Sequence, residues 1–496
     1  MRTALSKSES ELLNDVPTDL FVGGGWRSAS GGGRLPVRDP ATDEILTEVA
    51  DATASDGTSA LDAAVGVQRS WARTAPRARA DVLRRAFDLV QEHAEELALL
   101  MSLEMGKPLH EARGEVRYGG EFLRWFSEEA VRIDGRYTTT PEQSGQMVVT
   151  QRPVGPSLLI TPWNFPLAMA TRKIAPALAA GCTVVIKPPA LTPLTTLMLA
   201  RLLQRAGVPD GVVNVVTSSR SGAVCAPLLT DPRLRKLSFT GSTEVGVRLL
   251  EQAAGTVLRT SMELGGNAPF LVFEDADLDA AVEGALAAKF RNIGQACTAA
   301  NRFYVHEAVA EEFTRRISER VAEFRTGRGT ETGVDIGPLI EREAVDSVAA
   351  LVEDAVERGA KVRTGGAGLD GPGCFYRPTV LSDVPPEADV LHEEIFGPVL
   401  PITTFSSEEQ VVELANSTPY GLVGYAYTTD ARRGQRMIEE IETGMMGLNT
   451  GVVSNAAAPF GGVKQSGLGR EGGREGIQEY LETKYTLMPG PHAPGS

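Results

Sequence analysis

Cys297 stands in the run Phe290-Arg-Asn-Ile-Gly-Gln-Ala-Cys-Thr-Ala-Ala-Asn-Arg302, which is too rich in small residues to wrap a large side chain tightly. A thiol becomes a nucleophile at neutral pH when nearby donors stabilise its thiolate, and Arg291 lies close by in the chain. Otherwise a lone cysteine is a small buried hydrophobe. Glu263, in the unusual setting Met262-Glu-Leu-Gly-Gly-Asn267, supplies a carboxylate. Held beside the thiol, it would activate water to discharge whatever the sulfur had acquired.

Other residues fit around such a pair. In Thr161-Pro-Trp-Asn-Phe-Pro166, Asn164 is confined between aromatics and prolines. Its amide either donates to an oxyanion or closes a turn. Arg172 and Lys173 are the only charges between positions 153 and 186. They line the solvent side of a helix, or else they meet a carboxylate substrate and an internal proton path, since an unpaired buried charge is costly. Lys187 ends an apolar run and points either to solvent or to a cofactor ribose or phosphate. Phe239-Thr-Gly-Ser-Thr-Glu-Val-Gly246 joins an apolar run to a helical one. Its free N–H groups and the Ser242 hydroxyl suit a pyrophosphate, or Ser242 merely caps the helix. Gly467-Leu-Gly-Arg-Glu-Gly472 matches G-x-G-x-x-G formally, but it lacks the preceding strand and following helix that a dinucleotide loop needs.

The elements that must position these groups follow from the apolar pattern. Short continuous apolar runs at 157–160, 183–187, 212–216, 235–240 and 257–262 alternate with helical stretches at 167–180, 193–206 and 242–254. That alternation predicts a parallel, doubly wound sheet, the architecture of dinucleotide-binding domains. The rhythm resumes with helices at 276–290, 308–324 and 345–358 and a strand at 302–305, so a second α/β domain is expected from about 264 to 467. Residues 62–101 read as strongly helical, and 146–152 alternate as an exposed strand would. Such a strand needs a partner, for instance from another subunit.

Composition limits the alternatives. A chain of 496 residues implies two or three domains. A net charge of −15 disfavours nucleic acid as a partner. No run approaches 18 apolar residues, so no membrane span is expected. Residues 1–17 lack the apolar core of a secretory signal and carry acids foreign to a transit peptide, so a cytoplasmic protein is expected. The four cysteines (182, 225, 297 and 374) form neither a metal pattern nor a disulfide framework. The five histidines (93, 110, 306, 392 and 492) match no zinc or serine-hydrolase pattern and read as surface or structural. No metal is expected.

Six ordered strings carry a likeness: Ile160-Thr-Pro-Trp-Asn-Phe-Pro166, Phe239-Thr-Gly-Ser-Thr243, Met262-Glu-Leu-Gly-Gly266, Gly294-Gln-Ala-Cys297, Glu393-Glu-Ile-Phe-Gly-Pro398 and Pro459-Phe-Gly-Gly462. In order and spacing the chain resembles the aldehyde dehydrogenase superfamily from about residue 20 to 485. Within it the chain is most similar to the succinate-semialdehyde dehydrogenases, through Phe122-Leu-Arg-Trp-Phe-Ser-Glu-Glu-Ala130, Lys289-Phe-Arg-Asn292, Gly447-Leu-Asn-Thr-Gly-Val-Val-Ser-Asn455 and the segment 461–472.

The resemblance implies that Cys297 is the nucleophile, Glu263 the base and Asn164 the oxyanion donor. It implies that Arg172, Arg291 and Ser454 grip the distal carboxylate of a substrate, and that Lys173 and Glu471 belong to a proton path. Trp163, Lys187, Gly241, Ser242, Gly246, Glu394 and Phe396 match cofactor positions. The expected reaction is NAD(P)-dependent oxidation of succinate semialdehyde, with a broader aldehyde specificity (glutarate semialdehyde, or neutral and aromatic aldehydes) as the alternative. A cofactor-binding structural protein is the remoter one. The expected fold is α/β: a Rossmann-like cofactor domain (1–132 and 153–263), a catalytic domain (264–467) and a small β oligomerisation element (133–152 and 468–496), in a homodimer or homotetramer. Two departures stand out. Many relatives carry a glutamate where this chain has Ala190, which removes repulsion against a 2′-phosphate and makes NADP at least as acceptable as NAD. A second cysteine two residues past the nucleophile is common in the subgroup, and here Ala299 precludes that local disulfide.

Overall fold

The computed structural model describes residues 7–490; the first six residues, His492 and the end of the Pro/Gly tail lie outside them. Five parallel strands, Ser157–Ile160, Val184–Lys187, Val213–Val215, Lys236–Thr240 and Arg259–Glu263, form the centre of an eight-stranded sheet. Across the sheet they run third, second, first, fourth and fifth in chain order, the doubly wound arrangement. A hairpin of Leu20–Val22 and Gly25–Arg27 extends one side, and Gly467–Leu468 pairs antiparallel with Arg259–Glu263 on the other. The strands are buried on both faces, which explains why they read as unbroken apolar runs. The last of them begins two residues later than expected. Val257 is still in a turn, at φ 52° and 89% exposed, so Glu263 becomes the final residue of the strand.

A second sheet of seven strands has the order Lys361–Thr364, Thr379–Ser382, Val399–Phe405, Ala300–His306, Ala268–Val272, Val423–Tyr427 and Met445–Leu448. It is parallel except for the antiparallel first pair. Glu263 ends a strand of the first sheet and Ala268 begins one of the second, so the link between the sheets is only four residues long. Cys297 lies just before Ala300–His306, at the amino end of a second-sheet strand.

The helical stretch expected at 62–101 is made of three helices, Ala54–Arg73, Pro76–Glu92 and Ala94–Met105. Pro76 has no N–H to donate and sits in a first turn, which ends the preceding helix. A fourth helix, Leu109–Glu129, packs along Pro166–Ala180. Among the described residues no helix is long and apolar enough to cross a membrane. The alternating strand near 146–152 corrects another expectation. Gly145–Pro153 is the middle strand of a three-stranded sheet, paired within the chain to Arg136–Thr139 and Leu481–Pro489. The open edges therefore belong to the two outer strands, which carry the exposed Tyr137, Tyr485 and Leu487.

Candidate active site

In the first sheet the strand order reverses between Ser157–Ile160 and Lys236–Thr240, and ligands of open α/β sheets bind beyond the carboxyl ends of strands at such a point. The loops leaving those two strands line a cavity of about 240 Å³. Pro162, Trp163 and Asn164 come from the first loop, and Gly241 and Ser242 from the second. Cys297, Glu394 and Phe396 close the cavity from the second sheet, with Leu264 and Gly265 of the connection between them.

The loop carrying Cys297 is held in a costly conformation. Asn292, Ile293 and Gly294 follow one another with φ of 56°, 63° and 74°. A β-branched residue in the left-handed region is a strained one, and such strain persists only where surroundings enforce it. The enforcement is visible. Both carboxylate oxygens of Glu111 accept from the Asn292 N–H at 2.9 Å. The Asn292 amide donates to the backbone oxygens of Asn164 and Gln295 at 3.0 and 2.9 Å. Lys107, paired with Glu115, donates to the same Asn164 oxygen at 2.8 Å. Glu115 in turn accepts from the N–H groups of Leu167 and Ala168 at the start of the next helix, and Glu104 does the same for Leu194 and Thr195.

Asn164 is buried; its amide nitrogen donates to the Gln295 oxygen at 3.0 Å, and its Oδ1 has no partner. The turn reading therefore holds only for its backbone, while its side chain faces the cysteine loop. Cys297 is partly open to the cavity. Burial pushes its thiol up to about 12; Arg172 and Arg291 pull against that, whereas Glu394 and Glu263 add to it.

Behind the thiol stand two buried carboxylates. Glu263 has an oxygen without a hydrogen-bond partner, and burial, reinforced by Glu471, holds its pKa well above the ordinary carboxylate value. Gly461 makes room for it, since a Cβ there would come 2.9 Å from Glu263 Oε1. Glu471 lies between two cations, 2.5 Å from Lys173 Nζ and 2.6 Å from Arg172 Nε. Burial opposes its ionisation, but Lys173 and Arg172 outweigh that and hold its pKa below the ordinary value. Lys173 also donates to Ser238 at 2.9 Å. Arg172 and Lys173 are 1% and 0% exposed, which excludes a solvent-facing helix side for them. The segment 467–472 is no phosphate loop: Gly467 and Leu468 pair with the sheet, and Glu471 serves this cluster.

Arg291 stacks its guanidinium 5.5 Å from the Phe165 ring and donates to Thr298 Oγ1 at 3.3 Å. Arg172 lies 4.1 Å over Phe460. Tyr118, which sequence reasoning missed, has its hydroxyl buried among Arg172, Arg291 and Ser454. Lys107, Glu111, Glu115 and Asn292 were missed as well. A single charge in an apolar helical run is the signal that singled out Arg172, and Glu104 in Leu99-Leu-Met-Ser-Leu-Glu-Met105 carries the same signal.

The other end of the cavity suits a dinucleotide. Gly241 lines the cavity, and a Cβ on it would overlap the Phe239 ring, so glycine there lets that ring pack against the backbone at the rim. Ser242 caps the helix Thr243–Ala254, accepting from Val245 N–H at 3.4 Å, and stays exposed, so the cap and the phosphate readings coexist. Trp163 and Phe396 meet edge to face at 5.4 Å. Glu394 accepts from the Gly266 N–H at 3.3 Å, and burial pushes its carboxyl up to about 7. Two expected cofactor residues do not line this cavity. Lys187 is 4% exposed at its strand end. Gly246 is buried, and a Cβ there would overlap Leu264, so it lets helix and sheet approach.

The model of the aldehyde dehydrogenase family matches residues 26–486. The chain is 62% identical to a succinate-semialdehyde dehydrogenase of Paenarthrobacter nicotinovorans over 90% of its own length and all of the relative's. It is 49% identical to the NADP(+) succinate-semialdehyde dehydrogenase of Escherichia coli (strain K12), covering 96% of this chain and 99% of that one. Among solved structures, an E. coli NADP-dependent enzyme superposes with a TM-score of 0.95 at 47% identity, over 98% of this chain and 100% of the other. The family match over residues 26–486 and these identities over nearly the whole chain show that the chain belongs to the aldehyde dehydrogenase family.

Proposed function

We propose that the protein oxidises succinate semialdehyde to succinate with NADP, NAD being the second cofactor it accepts. One observation carries the reading: two guanidiniums, Arg172 and Arg291, act on the Cys297 thiol, and neither lines the cavity at the carboxyl rim of the first sheet. An aldehyde that bears a carboxylate three carbons away fits that polarity. The relatives named as succinate-semialdehyde dehydrogenases, one of them NADP-dependent, support both halves of the reading, as does Ala190.

In this mechanism Cys297 Sγ attacks the aldehyde carbon. The Asn164 amide and the Cys297 N–H hold the oxyanion, each donor contributing about 3–4 kcal/mol to the lowered barrier. Trp163, Gly241, Ser242, Glu394 and Phe396 would hold the nicotinamide dinucleotide, with Lys187 at its ribose; when bound it accepts the hydride. The resulting thioester on Cys297 is hydrolysed by water that Glu263 deprotonates, and the proton leaves through Glu471 and Lys173. Arg172, Arg291 and Ser454 hold the distal carboxylate throughout. The matching division of labour is a cofactor unit (1–132 and 153–263), a catalytic unit (264–467) and a bridging element (133–152 and 468–496) whose open strand edges serve a cytoplasmic homodimer or homotetramer.

The test is substrate discrimination. Arg291→Ala should cost about 2–5 kcal/mol in kcat/KM for succinate semialdehyde, the usual loss for one partner of a desolvated charge pair. Butyraldehyde, of the same length without the carboxylate, should lose little. Equal losses on both aldehydes would defeat the reading.

A further inference from the structure

Tyr118 sits on the helix Leu109–Glu129 where that helix crosses Pro166–Ala180 most closely. A Cβ on the neighbouring Gly119 would come 3.1 Å from the Ala168 Cα, so the backbones are nearly in contact there. The crossing, with Phe122 edge to face at 5.0 Å, orients the Tyr118 ring towards the Arg172 face of the second helix. Its hydroxyl is buried and makes no hydrogen bond, although Arg172 and Ser454 stand beside it and Arg291 acts on it from further off. A buried hydroxyl left unpaired costs about 1–3 kcal/mol, so native structures rarely keep one without a use.

The neighbours are under-used in the same way. Arg172 Nη2 touches only the sulfur of Met169, at 3.2 Å, and Nε faces Glu471 out of line for a hydrogen bond. Arg291 makes one long bond, to Thr298. Arg172, Arg291 and Ser454 all act on the Tyr118 hydroxyl, so under-used donors gather around it. An ionised carboxylate, which only accepts, is the group that satisfies such a set. Burial keeps the phenol protonated, so it remains a donor at neutral pH.

From this convergence we infer that the Tyr118 hydroxyl donates a hydrogen bond to the distal carboxylate of the substrate and, with Arg172, Arg291 and Ser454, selects ω-carboxy aldehydes. The inference rests on the carboxylate-clamp reading above and adds a neutral donor that reads direction where the guanidiniums read charge. Unlike an arginine, the phenol loses no ion pair when the site empties, and its rigid ring sets how deep the carboxylate can sit.

Tyr118→Phe removes the oxygen alone and keeps the ring packing. Steady-state kinetics with succinate semialdehyde should show KM raised about tenfold, the loss of one hydrogen bond to a charged group, with kcat changed less than about twofold. Butyraldehyde kinetics should not move. As a check independent of turnover, succinate should protect Cys297 from iodoacetamide about tenfold less well in the variant, while the unprotected alkylation rate and the Tm match the parent. An unchanged KM and unchanged succinate protection would overturn the inference, as would equal losses on both aldehydes. Arg291→Ala run in parallel separates the two levels. If that variant fails to discriminate between the aldehydes, the clamp itself is wrong; if it discriminates and Tyr118→Phe does not, only the role of Tyr118 falls.

Discussion

The two sides of Cys297 are built on opposite principles. One side is made of backbone, glycine and aromatic edges at the carboxyl rim of the first sheet, where Glu394 supplies the one carboxylate among the described lining residues. On the other side of Cys297, Arg172, Lys173, Glu471 and Glu263, all 5% exposed or less, form a cluster tied to the first sheet through Glu263 and Ser238 and to the C-terminal segment through Glu471. The contrast is sharpest in the two carboxylates of that cluster. Glu471 has two cations within 2.6 Å and stays ionised; Glu263 has an unpaired oxygen and is driven toward its neutral form. Environments that push two carboxyls apart are how one site keeps a fixed charge and a poised base side by side. The lesson is that the first side is shaped by backbone and aromatic packing, while in the second buried charges set the protonation of their neighbours.

The comparison can be broken at several points. The largest effect should come from the thiol between the two sides: Cys297→Ser should lower kcat by on the order of 10⁴-fold or more while cofactor binding, followed by fluorescence quenching, persists. Residual turnover near the parent rate would mean that another group is the nucleophile. Next, Glu263→Gln should lower kcat about 10²–10⁴-fold by blocking deacylation, with the first burst of reduced cofactor retained in stopped flow. In the parent, kcat should fall as pH drops through the raised Glu263 pKa, well above the ordinary carboxylate value of 4.5, because only the ionised form is a base.

The two carboxylates should also answer oppositely in stability. Glu263 has a raised folded pKa, so its favourable contribution is present below its unfolded pKa and is lost as pH rises through the folded one. Glu263→Gln should therefore raise Tm at pH 8. Glu471 has a lowered folded pKa, so its contribution is present above its unfolded pKa and is lost as pH falls through the folded one. Glu471→Gln strands two buried cations and should cost about 3–5 kcal/mol at pH 8. It also removes the charge that repels Glu263, so the acid limb of kcat should move to lower pH. Scanning calorimetry with both variants showing the same sign would erase the distinction. The smallest effect belongs to the dinucleotide end. Gly241→Ala should overpack against Phe239 at about 1–3 kcal/mol, weakening the cofactor Kd while leaving the KM for aldehyde nearly unchanged.

How much of this was legible before folding depends on the distance over which each feature is decided. The parallel strands declare themselves because burial on both faces leaves no polar positions, and their observed bounds fall within about two residues of the apolar runs. Cys297, Glu263 and Asn164, proposed as nucleophile, base and oxyanion donor, stood out in local strings with an unusual mixture of small, rigid and reactive residues. Arg172 and Lys173 were readable as misplaced charges, but only the family likeness connected Lys173 with Glu471, which lies 298 residues onward in the chain. Residues 62–101 read as helical without internal boundaries, because periodicity records which face is apolar and says little about where an axis turns; Pro76 marks one such boundary.

The chain by itself determined the alternation of strands and helices, the family likeness and the chemical types at the site, all of which are properties of neighbours in sequence. Only the tertiary structure decided which carboxylate is paired and which is left alone, that Glu111 and Lys107 hold the strained turn before Cys297, and that Tyr118 reaches the arginines. Those facts depend on desolvation and on distances of a few ångströms between segments far apart in the chain, and electrostatics inside a protein varies steeply on that scale.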